Sequence, residues 1–220
     1  QQWTLDHVGN WDEDKLDLTG DGDFSDTDEW NDTRTHNSVN ELTSRDLDST
    51  PGTTGDNYAL TYDAVGNLTD DGTDYEYVWD GFGRLRKILD TSDQSLIAEY
   101  QYNGLGHLVA RHEDTDDDDD VDANDKWYHL MYDERWRGIA TYREDDDDPK
   151  EEFVPHQAGV DGHGGSSYID LVILRDRDGD NANWTTASDG VLEERIYYCQ
   201  NWRADVSAIV EDTGEMVEWV

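Results

Sequence analysis

The sequence predicts an all-β fold built from antiparallel β-hairpins that repeat along the chain, with little helix. One pattern recurs at 62–68, 79–85 and 102–108: an aromatic residue, Asp or Asn, two variable residues, Gly, a polar residue and an apolar one. The 9 Trp and 12 Tyr favour strands over helices. In addition, no stretch of about 12 or more residues keeps a clean helical period.

Each copy of this pattern predicts a strand, a tight turn and a second strand. In the copy at Tyr62, the Asp63 side chain is expected to bond back to the turn backbone, and Gly66 to supply the positive φ of a hairpin turn. A further copy opens the chain, with Leu5 in the aromatic position, and 133–138 is a degenerate copy. Asp63 is therefore interpreted as a turn-former and not as a metal ligand.

The chain is strongly acidic, with 55 acidic and 16 basic residues and a formal net charge of −39. This charge argues against nucleic acid or an anionic membrane surface as a partner, because both are polyanions. No apolar run approaches the roughly 18 residues that cross a bilayer, so no membrane insertion is expected. Self-repulsion destabilises a compact state unless cations neutralise it. Bound divalent cations and a general acidic surface suited to a salty medium both explain the composition.

The first acidic loop has the spacing of an EF-hand type of calcium loop. Oxygen-bearing side chains fall at positions one, three, five, nine and twelve, a backbone carbonyl is expected at position seven, and Gly22 stands at six. In that order the predicted ligands are Asp17, Thr19, Asp21, Ser25 and Asp28, with Asp23 at position seven. Asp28 departs from the pattern, because Glu is usual at position twelve. The alternative is a solvated acidic turn.

A second acidic run has the same spacing between 114 and 125. The predicted calcium ligands are Asp114, Asp116, Asp118, Asp120, Asp122 and Asp125, at positions one, three, five, seven, nine and twelve. Asp119 occupies the position of the expected glycine. Side chains of like charge at this density extend and fray without a counter-ion. A disordered loop tip is the alternative.

A third group, Asp176, Asp178 and Asp180, has acidic residues at alternate positions but lacks a position-twelve ligand. The acidic stretch at 144–150 has poor ligand spacing and is interpreted as a hairpin tip. Residues 31–57 are interpreted as a surface loop that contains one short strand at 40–43. The whole chain, 1–220, is expected to form one domain with acidic inserts at 12–32, 113–126, 144–150 and 175–190. It is either complete or a segment of a larger repeat protein.

No catalytic constellation stands out, and the chain is not expected to be an enzyme. The sequence has no G-x-S-x-G turn and no H-E-x-x-H spacing among its seven His. The run at 163–166 is interpreted as a Gly/Ser linker. Cys199, the single cysteine, cannot form an internal disulfide and is expected to pack within a strand.

The repeated units resemble the tyrosine–aspartate repeats of the Rhs family, and the segment 195–214 resembles the closing segment of an Rhs core. The resemblance covers 1–11 and most of 58–220, and the acidic inserts resemble the calcium loops of dockerins and thrombospondin type 3 repeats. It implies a long hairpin sheet that spirals into a β-solenoid, a hollow shell or a tube. In toxin systems and teneurins such a shell encloses or scaffolds another polypeptide. No catalytic residue is carried over.

Three functional hypotheses follow. The first is a secreted or cell-surface structural protein, stiffened by calcium, that contacts copies of itself head to tail through exposed strand edges. The second is a delivery shell that encloses a C-terminal toxin or effector. The third is a surface- or carbohydrate-binding module that uses exposed Trp and Tyr.

Overall fold

The structure is a computed structural model, and it describes residues 1–24, 26, 29–48, 56–115, 121–155, 172–179, 185–201 and 205–219. All regular elements within these ranges are β-strands, and no helix occurs among them. The all-β prediction is confirmed. The strands are β1 (Gln2–Leu5), β2 (Trp11–Leu16), β3 (Trp30–His36), β4 (Leu42–Asp48), β5 (Asp56–Ala59), β6 (Thr61–Tyr62), β7 (Leu68–Asp70), β8 (Tyr75–Trp79), β9 (Leu85–Asp90), β10 (Leu96–Tyr102), β11 (Leu108–Glu113), β12 (Tyr128–Tyr132), β13 (Gly138–Arg143), β14 (Glu151–Pro155), β15 (Val172–Arg177), β16 (Glu194–Gln200), β17 (Val206–Glu211) and β18 (Met216–Trp219).

The chain divides into two compact units, Gln1–Leu96 and Ile97–Val220. In the first unit, β1 to β5 form a five-stranded sheet in chain order, and β6 to β9 also pair in chain order. In the second unit, β10 to β18 pair in chain order. The pairs within both units are antiparallel, as in β10 with β11 and β16 with β17. Within β1–β5, β6–β9 and β10–β18, strands that are neighbours in sequence therefore pair with each other, as repeated hairpins require.

A β-bulge lies directly before the turn of each repeat hairpin, and it explains the repeated pattern. In the first clear copy the register shifts between Thr61 and Tyr62, so that Tyr62 lies opposite Leu68. The aromatic residue before the turn thus faces the apolar residue after it. Equivalent pairs are Leu5 with Trp11, His36 with Leu42, Trp79 with Leu85, Tyr102 with Leu108, Tyr132 with Gly138, and Gln200 with Val206.

The polar end of the residue before the turn joins consecutive hairpins. The Tyr62 hydroxyl donates to the Leu42 carbonyl at 2.9 Å, and Trp79 Nε1 donates to the Leu68 carbonyl at 2.6 Å. In the second unit the Tyr132 hydroxyl donates to the Leu108 carbonyl at 2.6 Å. Each acceptor is the residue that follows the preceding hairpin turn of the pattern. This ladder favours Tyr and Trp over Phe, because only they carry a donor at the end of a large apolar ring.

The second unit has a narrow core made mostly of small residues. The buried apolar side chains are Ala98, Ala110, Tyr128, Ala140, Ile196 and Ala208. Tyr128 is only 1 % exposed, and this burial raises the pKa of its hydroxyl to about 12. A hairpin sheet with few buried aliphatic groups gains less free energy from apolar burial. Polar contacts therefore contribute a larger share of its stability.

Two local predictions are wrong. Residues 31–57, predicted as a surface loop with one short strand at 40–43, contain most of β3, all of β4 and the start of β5. Their strands lack apolar alternation because polar pairs join them: the Thr35 and Ser44 hydroxyls lie 2.6 Å apart, and Asp32 is buried between two arginines. Cys199, expected to be packed, is exposed on β16. Within the part of the chain that the structure describes, no helix is long and apolar enough to cross a membrane.

Candidate metal centres in the acidic loops

The hairpin turns show how this chain uses a carboxylate to hold a backbone. Asp63 Oδ1 accepts the backbone N–H groups of Val65 and Asn67, both at 2.9 Å, and Oδ2 accepts the Asn67 side-chain amide at 2.8 Å. Gly66 has φ of 92°. These hydrogen bonds, led by those from Asn67, lower the pKa of Asp63. The prediction that Asp63 is a turn-former is confirmed.

Further turns repeat this geometry with different side chains. Asp133 accepts the backbone N–H groups of Arg135 and Arg137, and Arg137 Nε donates to Asp133 Oδ2 at 2.7 Å. Asn103 makes the equivalent backbone contacts without a charge. In the degenerate copy Trp136 replaces glycine, with φ of 62°, and its ring stacks on His107 at a centroid distance of 4.2 Å. Trp136 therefore makes a stacking contact although its positive φ is unfavourable for any residue other than glycine.

The first acidic loop closes on a buried carboxylate. Glu29 is fully buried, and its Oε1 accepts the backbone N–H groups of Leu18 and Thr19 at 3.0 and 3.3 Å. Its Oε2 accepts the backbone N–H of Asp26 at 3.2 Å. Glu29 therefore ties the beginning of the loop to its end.

Three carboxylates of this loop converge on one hydroxyl. Thr19 Oγ1 lies 3.4 Å from Asp17 Oδ1, 3.3 Å from Asp26 Oδ2 and 3.4 Å from Glu29 Oε1. Asp17 also accepts the backbone N–H groups of Gly20 and Gly22, and chiefly the Gly20 hydrogen bond lowers its pKa. The three carboxyl groups are thus held close together around the Thr19 hydroxyl. Such an arrangement is unfavourable unless a cation balances it.

The second acidic loop repeats the closure at the same spacing. Asp125 Oδ1 accepts the backbone N–H and the hydroxyl of Thr115, at 2.7 and 2.8 Å, and Oδ2 accepts the backbone N–H of Asp122 at 3.0 Å. Burial acts to raise the pKa of Asp125, but the Thr115 and Asp122 hydrogen bonds outweigh burial and lower it. Thr19 precedes Glu29 by ten residues, and Thr115 precedes Asp125 by ten. The two loops therefore share one local design.

The third acidic group is engaged with basic residues of the chain. Asp176 pairs with Arg195 through two hydrogen bonds of 2.6 Å. Asp178 Oδ2 lies 3.0 Å from Lys150 Nζ, and both side chains are almost completely buried. Each of these two carboxylates thus has a basic partner from the chain itself.

The described residues include some of the predicted ligands in each group. Asp17, Thr19, Asp21 and Asp23 are described in the first loop, and Asp114, Asp122 and Asp125 in the second. Ser25, Asp28, Asp116, Asp118, Asp120 and Asp180 lie outside the described residues. Of the predicted ligands of the first loop, the structure brings Asp17 and Thr19 into contact. Asp21 instead accepts the backbone N–H of Asp23 at 2.8 Å.

Sequence reasoning missed Asp26 and Glu29, which the structure places with Asp17 and Thr19. The sequence did contain a signal for them. Thr19, Asp26 and Glu29 have the same spacing as Thr115, Asp122 and Asp125. The oxygen-only donor set suits Ca²⁺, a hard cation. Within the described ranges no three His, Cys, Asp or Glu side chains stand in a ready metal-binding arrangement. Instead, the oxygens of Asp17 and Glu29 face N–H groups and the Thr19 hydroxyl.

Comparison with known proteins gives a likeness of fold. No family model matches the sequence, and no curated protein matches it. A crystal structure titled TcdB2-TccC3-Cdc42 matches with a TM-score of 0.51 and 12% sequence identity, over 97% of this chain and 11% of that chain. The TcdB2-TccC3-TEV structure has a TM-score of 0.43 and 10% identity, over 99% of this chain and 11% of that one.

A Photorhabdus luminescens Tc holotoxin pore matches with a TM-score of 0.43 and 12% identity, over 87% of this chain and 9% of that chain. This chain thus spans about a tenth of the length of the solved structures that it matches. At such identities the likeness concerns the fold alone.

Proposed function

We propose that this chain is a non-catalytic structural segment: a wall of repeated hairpins of the Rhs type that calcium stabilises outside the cell. The observation that carries the proposal is the ladder in which the aromatic residue before three of the turns donates to the backbone of the preceding hairpin. Tyr62 and Trp79 do so in the first unit, and Tyr132 in the second. Such hydrogen bonds join one hairpin to the next and so build a continuous sheet. The fold likeness to TcdB2-TccC3-Cdc42 supports a wall of this kind.

Calcium would bind within the two inserted acidic loops. Asp17, Thr19, Asp26 and Glu29 would hold it in the first loop, and Thr115, Asp122 and Asp125 in the second. The ion would supply the positive charge that these carboxylates lack. Extracellular modules bind calcium at roughly 0.1–1 mM, and this range fits a secreted location.

Head-to-tail contact between copies would use strands at the edges of the sheets. All four residues of β1 and all four of β18 are exposed, and Trp219 is 74 % exposed. Unpaired strand edges pair readily with another chain, and a contact that does not close gives a filament.

Electron microscopy of the concentrated chain tests this proposal. End-to-end assemblies are expected with calcium, and shorter or fewer ones with a chelator. Dispersed particles in both conditions would contradict the assembly through strand edges.

The alternative is a delivery shell that encloses a toxin or effector. The observation that favours it is the likeness of fold to TcdB2-TccC3-Cdc42, of which this chain covers a small part. In a longer protein that contains this chain, protection of a following domain from protease would support the shell. Equal digestion of that domain alone and in the longer protein would remove it.

A further inference from the structure

A cavity of about 380 Å³ lies in the first unit where β2 begins, β3 ends and β4 begins. Its walls include Trp11, Arg34, His36, Leu42 and Arg45. Two of the 16 basic residues of a chain with 55 acidic ones therefore line the same small space. Neither the hairpin ladder nor the acidic loops use this cavity.

One buried carboxylate holds both arginines. Asp32 is 3 % exposed and accepts hydrogen bonds from Arg34 Nη2, from Arg45 Nη2 at 3.0 Å and from Arg45 Nε at 3.1 Å. Two guanidinium groups share a single negative charge, so the pair keeps one net positive charge. The Arg45 side chain is 40% exposed, and a ligand can therefore reach it.

The other walls add an apolar surface and a polar group that lacks a partner. Trp11 is 41 % exposed as a residue, and its ring lies 5.8 Å from the Arg34 guanidinium and 5.6 Å from the Trp3 ring. His36 Nδ1 is buried and makes no hydrogen bond. A buried polar atom without a partner is costly, and a ligand that supplied one would remove this cost.

We propose that this cavity binds a carboxylate carried on a ring with an apolar face, as in a uronic acid unit of an acidic oligosaccharide. Guanidinium groups bind carboxylates in a fixed fork geometry, and the indole offers a flat surface to the ring. The volume falls within the range of small-ligand pockets. The indole favours a ring-bearing acid over an acidic peptide, and the net charge of −39 opposes long polyanions. A short uronate chain therefore fits best.

Calorimetric titration of the whole chain with a short oligogalacturonate tests the proposal. A chelator is present throughout, so that calcium cannot bridge the acidic loops and the ligand. We expect saturable binding, and binding weaker by at least about tenfold for the methyl ester of the same oligosaccharide. Arg45→Gln is expected to weaken binding to a similar extent, whereas Arg86→Gln, a strand arginine outside the cavity, leaves it unchanged.

Trp11→Leu keeps Asp32 and both arginines and is expected to weaken binding as well, which separates ligand contact from a folding defect. The proposal is overturned if the ester binds as tightly as the acid, or if no heat develops at millimolar ligand. It is also overturned if a glutamate oligopeptide of equal charge binds as well as the oligogalacturonate, because the cavity would then recognise acidic peptides.

Discussion

Carboxylates in the hairpin turns and carboxylates in the acidic loops hold backbone N–H groups in the same way, but they differ in what balances their charge. Asp133 in a turn faces Arg137 of the same turn. In the first acidic loop Asp17, Asp26 and Glu29 meet at Thr19, and among the described residues none of the three forms an ion pair with Lys or Arg. The turns at Asp80 and Asp133 thus carry their own arginine, whereas the carboxylates around Thr19 have no such partner among the described residues, and this difference fits the proposal that the first acidic loop takes a cation from solution.

The largest expected effect concerns a carboxylate that the chain itself neutralises. Lys150→Met removes the 3.0 Å ion pair of the buried Asp178 carboxylate, and it should lower the free energy of unfolding by about 3–5 kcal/mol. Lys126→Met is the matched control, because Lys126 lies 3.8 Å from the exposed Asp145 and such a pair contributes at most about 1 kcal/mol. Denaturant unfolding measures both variants. The double variant Lys150→Met with Asp178→Leu should recover much of the lost stability. If Lys150→Met and Lys126→Met lost equal stability, Lys150 would not be stabilising the fold through its ion pair with Asp178.

The next effect concerns the closure of an acidic loop. Glu29→Gln keeps the size of the side chain but turns an N–H₂ group towards backbone donors, and it should cost about 2 kcal/mol. Asp21→Asn, in the same loop, alters one exposed hydrogen bond and should change stability little. A Glu29→Gln variant as stable as Asp21→Asn would show that Glu29 does not close the loop.

A smaller loss is expected in a hairpin turn. Asp63→Ala removes the acceptor of two backbone N–H groups and should lower Tm. Asp63→Asn should lower Tm less, because Asn103 accepts the two equivalent backbone N–H groups in another turn. The pKa of Asp63 is lowered in the folded state. The extra stability of the wild type relative to Asp63→Ala is therefore fully present above the unfolded pKa of 3.8, and it declines as pH falls through the lower pKa of the folded state. An advantage that stays constant across this acid range would contradict the account.

The smallest effect is expected at Trp136. Trp136→Gly relieves the positive φ but loses the stacking on His107, and both effects are about 1 kcal/mol, so stability should change little. Trp136→Ala loses the stacking without relieving the backbone and should be less stable than Trp136→Gly. Thermal unfolding of the two variants decides between them, and the opposite order would show that the backbone at this position is not strained.

The sequence was most informative where the repeat combined an aromatic residue, Asp or Asn, and Gly, because each of these residues has a fixed role in the turn. The strand β3 and all of β4 after residue 43 were missed because polar pairs such as Thr35 with Ser44 join them, and these give no apolar alternation. Glu29 was missed because the EF-hand spacing points to the preceding residue. The cavity at Arg34 and Arg45 could not be predicted, since it depends on which residues the bulges bring to one face.

Calcium titration of the whole chain, with Tm measured in chelator and in calcium, tests the central claim most directly. We expect saturable calcium uptake that Glu29→Gln reduces, and a gain of about 2.7 kcal/mol per site at a calcium concentration of 100 times Kd. Sodium chloride at matched ionic strength controls for screening. A Tm that is the same in calcium and chelator, or a sodium chloride effect as large as that of calcium, would contradict the claim and favour a general acidic surface.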